Sequence, residues 1–144
     1  SSAERDGVRL IAVTLNAPND WEDHRRMLDY GFSLMEVRTL AAEGEYSFDI
    51  PVAGGTVGSV KCENTLGLNA CVFSAVEEDD IEVVVYLEKF LYAPVKKGQT
   101  VGKVRFTLDG KVLGEADIVA LSDAGAQEYE KSLWEKIKDL FSYR

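Results

Sequence analysis

Histidine is almost missing from this sequence, and His24 is its sole example. A transition-metal centre needs several nitrogen or sulfur ligands. With Cys62 and Cys71 as the only cysteines, no Cys–His ligand set forms, so no metal and no cofactor is expected. Positive charge is also short: 16 lysines and arginines face 25 acids, for a formal net charge of −9. A sequence-independent grip on nucleic acid needs clustered cations against phosphates, so no nucleic-acid partner is expected. The same deficit weakens purely electrostatic attachment to anionic lipid. No apolar run approaches the roughly 18 residues that suggest a membrane-spanning helix. Ser1–Asp6 is polar and lacks the apolar stretch of a signal peptide; the leader of an exported parent would lie upstream of Ser1. No internal repeat or low-complexity tract is present.

What remains is a chain of 144 residues, 46% hydrophobic, enough for one packed domain with an appendage. Val8–Leu15 is a dense apolar and β-branched run after the turn Glu4–Gly7. Asp-Gly favours a tight hairpin, so Ser1–Ala3 is expected to be the end of a preceding strand. Asn16–Asp20 breaks the run, and Asn19 or Asp20 is placed to cap a helix from about Trp21 to Met35. Trp21, Leu28, Phe32 and Met35 share one face of that helix. A broad apolar face needs a sheet or another helix to lie on.

From about Val37 the texture changes to alternating polar and apolar residues with Gly-rich turns. The spacing predicts strands over Tyr46–Val52, Val57–Lys61, Ala70–Val76, Ile81–Phe90, Thr100–Leu108 and Val112–Leu121. Asp109-Gly110 between the last two is a strong hairpin signal. Strands of this number and length predict a mainly β fold, a small antiparallel sandwich or barrel. Ser122–Gly125 reads as a linker and Ala126–Tyr143 as an amphipathic helix. Tyr129, Leu133, Trp134, Ile137, Leu140 and Phe141 fall on its apolar side. That side suits either a membrane surface or packing on the β domain or a partner.

Few residues suggest chemistry. His24 has Glu22 and Asp23 beside it, a tempting general base, but no Ser or Cys stands at a suitable local spacing. Glu77–Asp80 gathers carboxylates without the spaced pattern of a calcium loop. Neither Gly54-Gly55 nor Gly98 and Gly102 open a helix as a phosphate loop does. Lys96-Lys97 reads as turn surface. Cys62 and Cys71 flank the segment Glu63–Ala70, which suits two antiparallel strands. They are either two small apolar thiols or a disulfide across facing positions.

RDGVRLIAVTLNAPNDWEDHRRMLDYGF, Arg5 to Phe32, resembles the end of the catalytic domain in low-molecular-mass penicillin-binding proteins, the serine-type D-Ala-D-Ala carboxypeptidases. The N-A-P-x-D-W-x-D-H pattern, Asn16 to His24, carries that likeness. FLYAPVKKGQTVGKVRFTLDGKVLGEADIVAL, Phe90 to Leu121, resembles the same family's all-β C-terminal domain, with A-P-[VL]-x-K-G-x-x-V-G as its most specific element. The resemblance implies three parts. Residues 1–36 are the strand–helix remnant of an α/β penicillin-binding domain. Residues 37–122 are an antiparallel β-sandwich. Residues 123–144 are an amphipathic membrane anchor. It also implies a parent that trims the terminal D-Ala from peptidoglycan stem peptides on the outer face of the cytoplasmic membrane.

The family's catalytic motifs S-x-x-K, S-x-N and K-T-G do not occur in these 144 residues; Ser59 and Lys61 have the wrong spacing. The resemblance places K-T-G just upstream of Ser1. The chain is therefore expected to hold no catalytic residue and to be inactive alone, with the missing N-terminal portion as its first partner. The unpartnered apolar surface of residues 1–36 also suits a swapped homodimer. The reading of another class is a stand-alone β-sandwich adaptor for cell-wall or protein partners. The reading frame upstream of Ser1 separates the two.

Overall fold

The computed structural model describes residues 1–128. It is mainly β, with ten strands and one α-helix among them. β1 (Ser2–Arg5) and β2 (Val8–Ile11) form a hairpin in which Arg5 faces Val8. The turn residues Asp6 and Gly7 have φ of 50° and 80°, the left-handed pair that a two-residue hairpin demands. The strand ends at Ile11, short of the expected Leu15, and beyond it the Ser1 carbonyl accepts from Ala12 N–H at 2.9 Å. α1 (Asp20–Leu34) follows. Asn19 occupies the N-cap but its side chain makes no capping bond; Asp20 Oδ1 instead accepts from Trp21 N–H at 2.8 Å.

α1 runs without a loop into β3 (Met35–Ala41), a strand that the sequence pattern missed. β4 (Ser47–Ala53), β5 (Ser59–Asn64), β6 (Leu68–Phe73), β7 (Ile81–Leu87), β9 (Thr100–Leu108) and β10 (Lys111–Ala120) match the expected strands within a few residues. β8 (Leu91–Tyr92) was not expected. It is short and pairs in parallel with the end of β4, through Val52–Leu91 and Ala53–Tyr92. A single 3-10 turn at Glu78–Asp80 leads into β7.

Six strands form one curled sheet in the order β7-β9-β10-β5-β4-β8, and β3 pairs with β6 in a separate antiparallel sheet. The sheets share one core. Leu40 and Ala41 of β3 and Ala70 and Val72 of β6 meet Ile50, Val60, Phe106 and Ile118 of the larger sheet. Tyr46 meets Phe106 edge-to-face, with ring centroids 6.0 Å apart. α1 has no buried residue.

Asn64 is the one buried polar side chain among the described residues. Its Oδ1 accepts from Tyr46 N–H at 2.9 Å, and its Nδ2 donates to the carbonyls of Ala42 (2.7 Å) and Leu66 (3.1 Å). On the outer face of β9–β10, Glu115 stands opposite Arg105. It accepts from Lys103 Nζ at 2.8 Å and Arg105 Nε at 2.6 Å. The bonds from Lys103 and Arg105 hold the Glu115 carboxyl below the usual carboxylate range.

The expected facing placement of Cys62 and Cys71 is absent. β5 pairs with β4 and β10, whereas β6 pairs with β3, so the two cysteines lie in different sheets. Both are free thiols, Cys62 buried in the core and Cys71 exposed. Burial, with a smaller contribution from Asp49, raises the Cys62 thiol above its ordinary pKa.

Three outcomes follow from this packing. Asn64→Ala removes partners from three backbone groups and is expected to cost ~3 kcal/mol in urea unfolding; an unchanged midpoint would show that water replaces the amide. Ellman's reagent should titrate one thiol in the native chain and the second only in denaturant. A native chain with no reactive thiol, and two after reduction, would establish a bridge. Glu115 titrates lower folded than unfolded, so its contribution is full above the ordinary carboxylate range and fades as pH falls through the depressed folded value. Glu115→Gln should therefore lower the melting temperature at neutral pH and match the parent chain in acid. An equal deficit at both pH values would assign the loss to shape.

Candidate functional site

His24 lies on the first turns of α1, where the chain doubles back past the β1–β2 hairpin. Ser1 Oγ is 2.6 Å from its Nδ1 and Thr14 Oγ1 is 2.8 Å from its Nε2. A neutral imidazole donates from one nitrogen and accepts at the other, so the two hydroxyls satisfy the ring. Serine next to histidine invites comparison with a nucleophile and its base. A third group that orients the base is missing, because the second ring nitrogen meets a hydroxyl and Glu22 is engaged with Arg26 at 3.2 Å. No residue in this arrangement presents donors to a developing oxyanion, which acyl transfer requires. The cluster ties the hairpin to the helix. Its partners come from sequence separations of 23 and 10 residues, so local spacing around His24 carried no signal of them.

Arg5 makes a second tie. Its guanidinium bonds Asp29 Oδ1 at 3.0 Å and lies 4.6 Å from the centre of the Phe32 ring. These residues and Trp21 border an open cleft of about 470 Å³. The larger feature of this unit is its uncovered apolar surface. Leu15 is 91% exposed, Trp21 82%, and Ile11 and Val13 75% each. Single exposed apolar side chains are ordinary, but a contiguous set of large ones marks a surface built for contact.

The remaining sequence candidates fall elsewhere. In the acidic turn, Asp80 Oδ2 accepts from Glu77 N–H at 2.9 Å, and Glu77 in turn caps the 3-10 turn. Among the described residues no group of three or more His, Cys, Asp or Glu side chains is placed to hold a metal ion. Lys96 and Lys97 sit on an exposed turn fixed by Gln99 Oε1 and Asp123 Oδ1, which accept from their backbone N–H groups at 3.2 and 2.7 Å. Tyr129, Leu133, Trp134, Ile137, Leu140 and Phe141 lie outside the described residues. No described helix is long and apolar enough to cross a membrane.

Known proteins give this geometry a context. The family described as Penicillin-binding protein 5, C-terminal domain, matches residues 36–126. The D-alanyl-D-alanine carboxypeptidase DacA of Haemophilus influenzae is 29% identical over 150 aligned residues, covering 99% of this chain and 38% of that protein. DacF of Bacillus subtilis, also a D-alanyl-D-alanine carboxypeptidase, is 25% identical, covering 85% of this chain and 32% of its own. The crystal structure of penicillin binding protein 5 from Haemophilus influenzae superposes on 72% of this chain and 30% of its own, with a TM-score of 0.58 and 27% identity. A peptidoglycan synthesis regulatory factor, PBP3 of Streptococcus pneumoniae, superposes on 85% of this chain and 38% of its own at a TM-score of 0.62. Its 18% identity shows the fold alone. The chain thus spans well under half the length of the curated relatives it matches. The family match takes in more than half of the chain, so the chain belongs to the penicillin-binding protein 5 C-terminal domain family, as a C-terminal part of a low-molecular-mass penicillin-binding protein.

Proposed function

We propose that this chain is the non-catalytic C-terminal part of a D-alanyl-D-alanine carboxypeptidase that acts in peptidoglycan maturation. The observation that carries the reading is the alignment of 99% of the chain with 38% of one such enzyme, together with the absence of S-x-x-K, S-x-N and K-T-G from its sequence. Residues 1–36 then close the catalytic domain and residues 37–122 form a β-sandwich pedestal. Ala124, expected in the anchor, is instead buried in the pedestal's core and Ala126 bridges to Gly55, so the anchor at the outer face of the cytoplasmic membrane is the later part of 123–144. In this reading the apolar surface of Ile11, Val13, Leu15 and Trp21 is the seat of the missing catalytic sheet. β2 supplies a strand and α1 a covering helix, and both are stitched together by His24 and Arg5 before the rest of the domain meets them. The stem peptide is bound and cut by the missing portion. The β domain sets the height of that active site and offers its own flanks to partners.

The purified chain should take no covalent label from a fluorescent penicillin, because S-x-x-K, S-x-N and K-T-G are absent from its sequence. The same chain preceded by its own upstream coding sequence should be labelled. Alone, it should self-associate as concentration rises in light scattering, and Leu15→Ser with Trp21→Ser should return it to monomer. Labelling of the isolated chain, or an upstream frame without the three motifs, would overturn the reading in favour of an independent adaptor. A clean monomer of the unaltered chain would remove the assignment of the apolar surface.

A further inference from the structure

The two ends of the β domain differ in charge. At the start of β7 stand the acids Glu77, Glu78, Asp79 and Asp80, and Glu45 lines the same groove as Glu78 and Ile81. At the far end of β7 the chain crosses to the opposite edge of the sheet through Glu88–Tyr92. There Lys89, Lys96 and Lys97 balance Glu88, Asp123 and Glu128, all of them exposed. In a chain with a net charge of −9, these three lysines and three acids balance.

The same end presents apolar side chains in a fixed arrangement. Leu91 is buried and anchors the crossing segment in the core. Alternation along an extended backbone then sends Phe90 and Tyr92 outward together. Phe90 is 47% exposed and Tyr92 74%, and their rings meet edge-to-face with centroids 5.1 Å apart. Each ring holds the other, so little side-chain freedom is left to lose on contact. Val57, also exposed, projects from the neighbouring turn. Aromatic side chains with lysines beside them suit the boundary between lipid headgroups and acyl chains.

The chain leaves the described residues at this end. Tyr92 pairs with Ala53, and the next residue, Gly54, accepts through its carbonyl from Gln127 N–H at 2.8 Å. Gln127, one residue short of the last described position, is therefore held beside the aromatic pair.

We propose that this end of the β domain is itself a phospholipid contact, with Phe90 and Tyr92 as its interfacial side chains. It rests on the reading of the later part of residues 123–144 as a membrane anchor and goes beyond it. The domain touches the bilayer directly, and its acidic end points away. A single amphipathic helix would leave the domain free to pivot. A second contact beside the helix exit fixes its tilt.

The test uses the full chain and vesicles of phosphatidylethanolamine and phosphatidylglycerol. Phe90→Ser with Tyr92→Ser should lower the partition coefficient by on the order of a hundredfold, the loss expected for withdrawing two aromatic side chains from lipid, with an unchanged melting temperature in lipid-free buffer. Trp134→Glu with Ile137→Glu, in a separate chain, should leave a residual partitioning that the Phe90/Tyr92 substitutions remove. Partitioning of the Phe90/Tyr92 variant equal to that of the parent chain overturns the proposal whatever the helix variant does. Full partitioning of the helix variant, with loss in the Phe90/Tyr92 variant, supports the patch and overturns the anchor. A chain that does not partition at all overturns both. A fall in the melting temperature of the Phe90/Tyr92 variant without lipid would show that another part of this chain covers the pair, and that too overturns the proposal.

Discussion

Asn64 sits at the end of β5 where strand pairing runs out, and its amide supplies the bonds that the sheets cannot. Its backbone N–H and carbonyl bond Tyr46 and Gly44, while its side chain reaches Tyr46, Ala42 and Leu66. Two loops are thus fastened to one residue: the loop that takes the chain from the small sheet into β4, and the loop that takes it from β5 back to the small sheet. A buried backbone group without a partner costs about 1–3 kcal/mol. An apolar side chain of the same size would leave three part-buried backbone groups without this partner, a smaller penalty for each. The two sheets keep their relative placement because the crossings between them are held at this point, and Tyr46 is thereby set against Phe106 at the mouth of the core.

The second constraint is the weld between the N-terminal unit and the β domain. Leu34 ends α1 and Met35 begins β3, which pairs with β6 from Met35–Phe73 onward. Ser74 N–H bonds the Leu34 carbonyl at 2.9 Å, and the Gly7 turn packs closely beside Val37. A flexible tether would let the two parts move independently. A helix that becomes a core strand in one step transmits the orientation of α1 into the small sheet. That stiffness suits a domain whose proposed task is to hold something else in place.

Much of the β domain was legible because its strands carry the alternating pattern and their turns carry the right residues. Asp109-Gly110 marked the β9–β10 hairpin, and its φ values of 49° and 73° explain why that dipeptide was chosen. β3 was missed because Met35 continues the apolar spacing of Leu28 and Phe32, so a helical period ran on past the true helix end. β8 was missed because two residues give no period at all. For the cysteines the sequence leaves two readings open, and the facing placement is absent for a topological reason: β5 and β6 share a core but pair in different sheets, and hydropathy has no term for a chain that changes sheets. The His24 cluster was invisible because hydroxyls brought from a distance leave no trace in local spacing. By contrast, the apolar helix face read from the sequence is only partly covered: Leu28, Phe32 and Met35 are half-buried, on the side of α1 that meets the hairpin, while Trp21 is exposed.

The positions of the two attachment points give the proposed spacer role a length. Arg38 and Leu40 of β3, the strand that continues α1, line a groove with Ile81 at the start of β7. At the other end of β7 the chain crosses to the far edge of the sheet, where Tyr92 pairs with Ala53 and Gln127, near the last described residue, bonds Gly54. β7 itself, seven residues at about 3.3 Å each, spans on the order of 20 Å of that interval. β7 is an edge strand, but it pairs along its whole length with β9, from Ile81–Leu108 to Leu87–Gly102. The spacer is therefore a paired strand that cannot stretch or coil without breaking the sheet. A flexible linker of the same residue count would fluctuate over a comparable distance with no fixed direction. Under the proposed pedestal role, an interval built from paired strands would set both a height and a facing, and a linker would set neither.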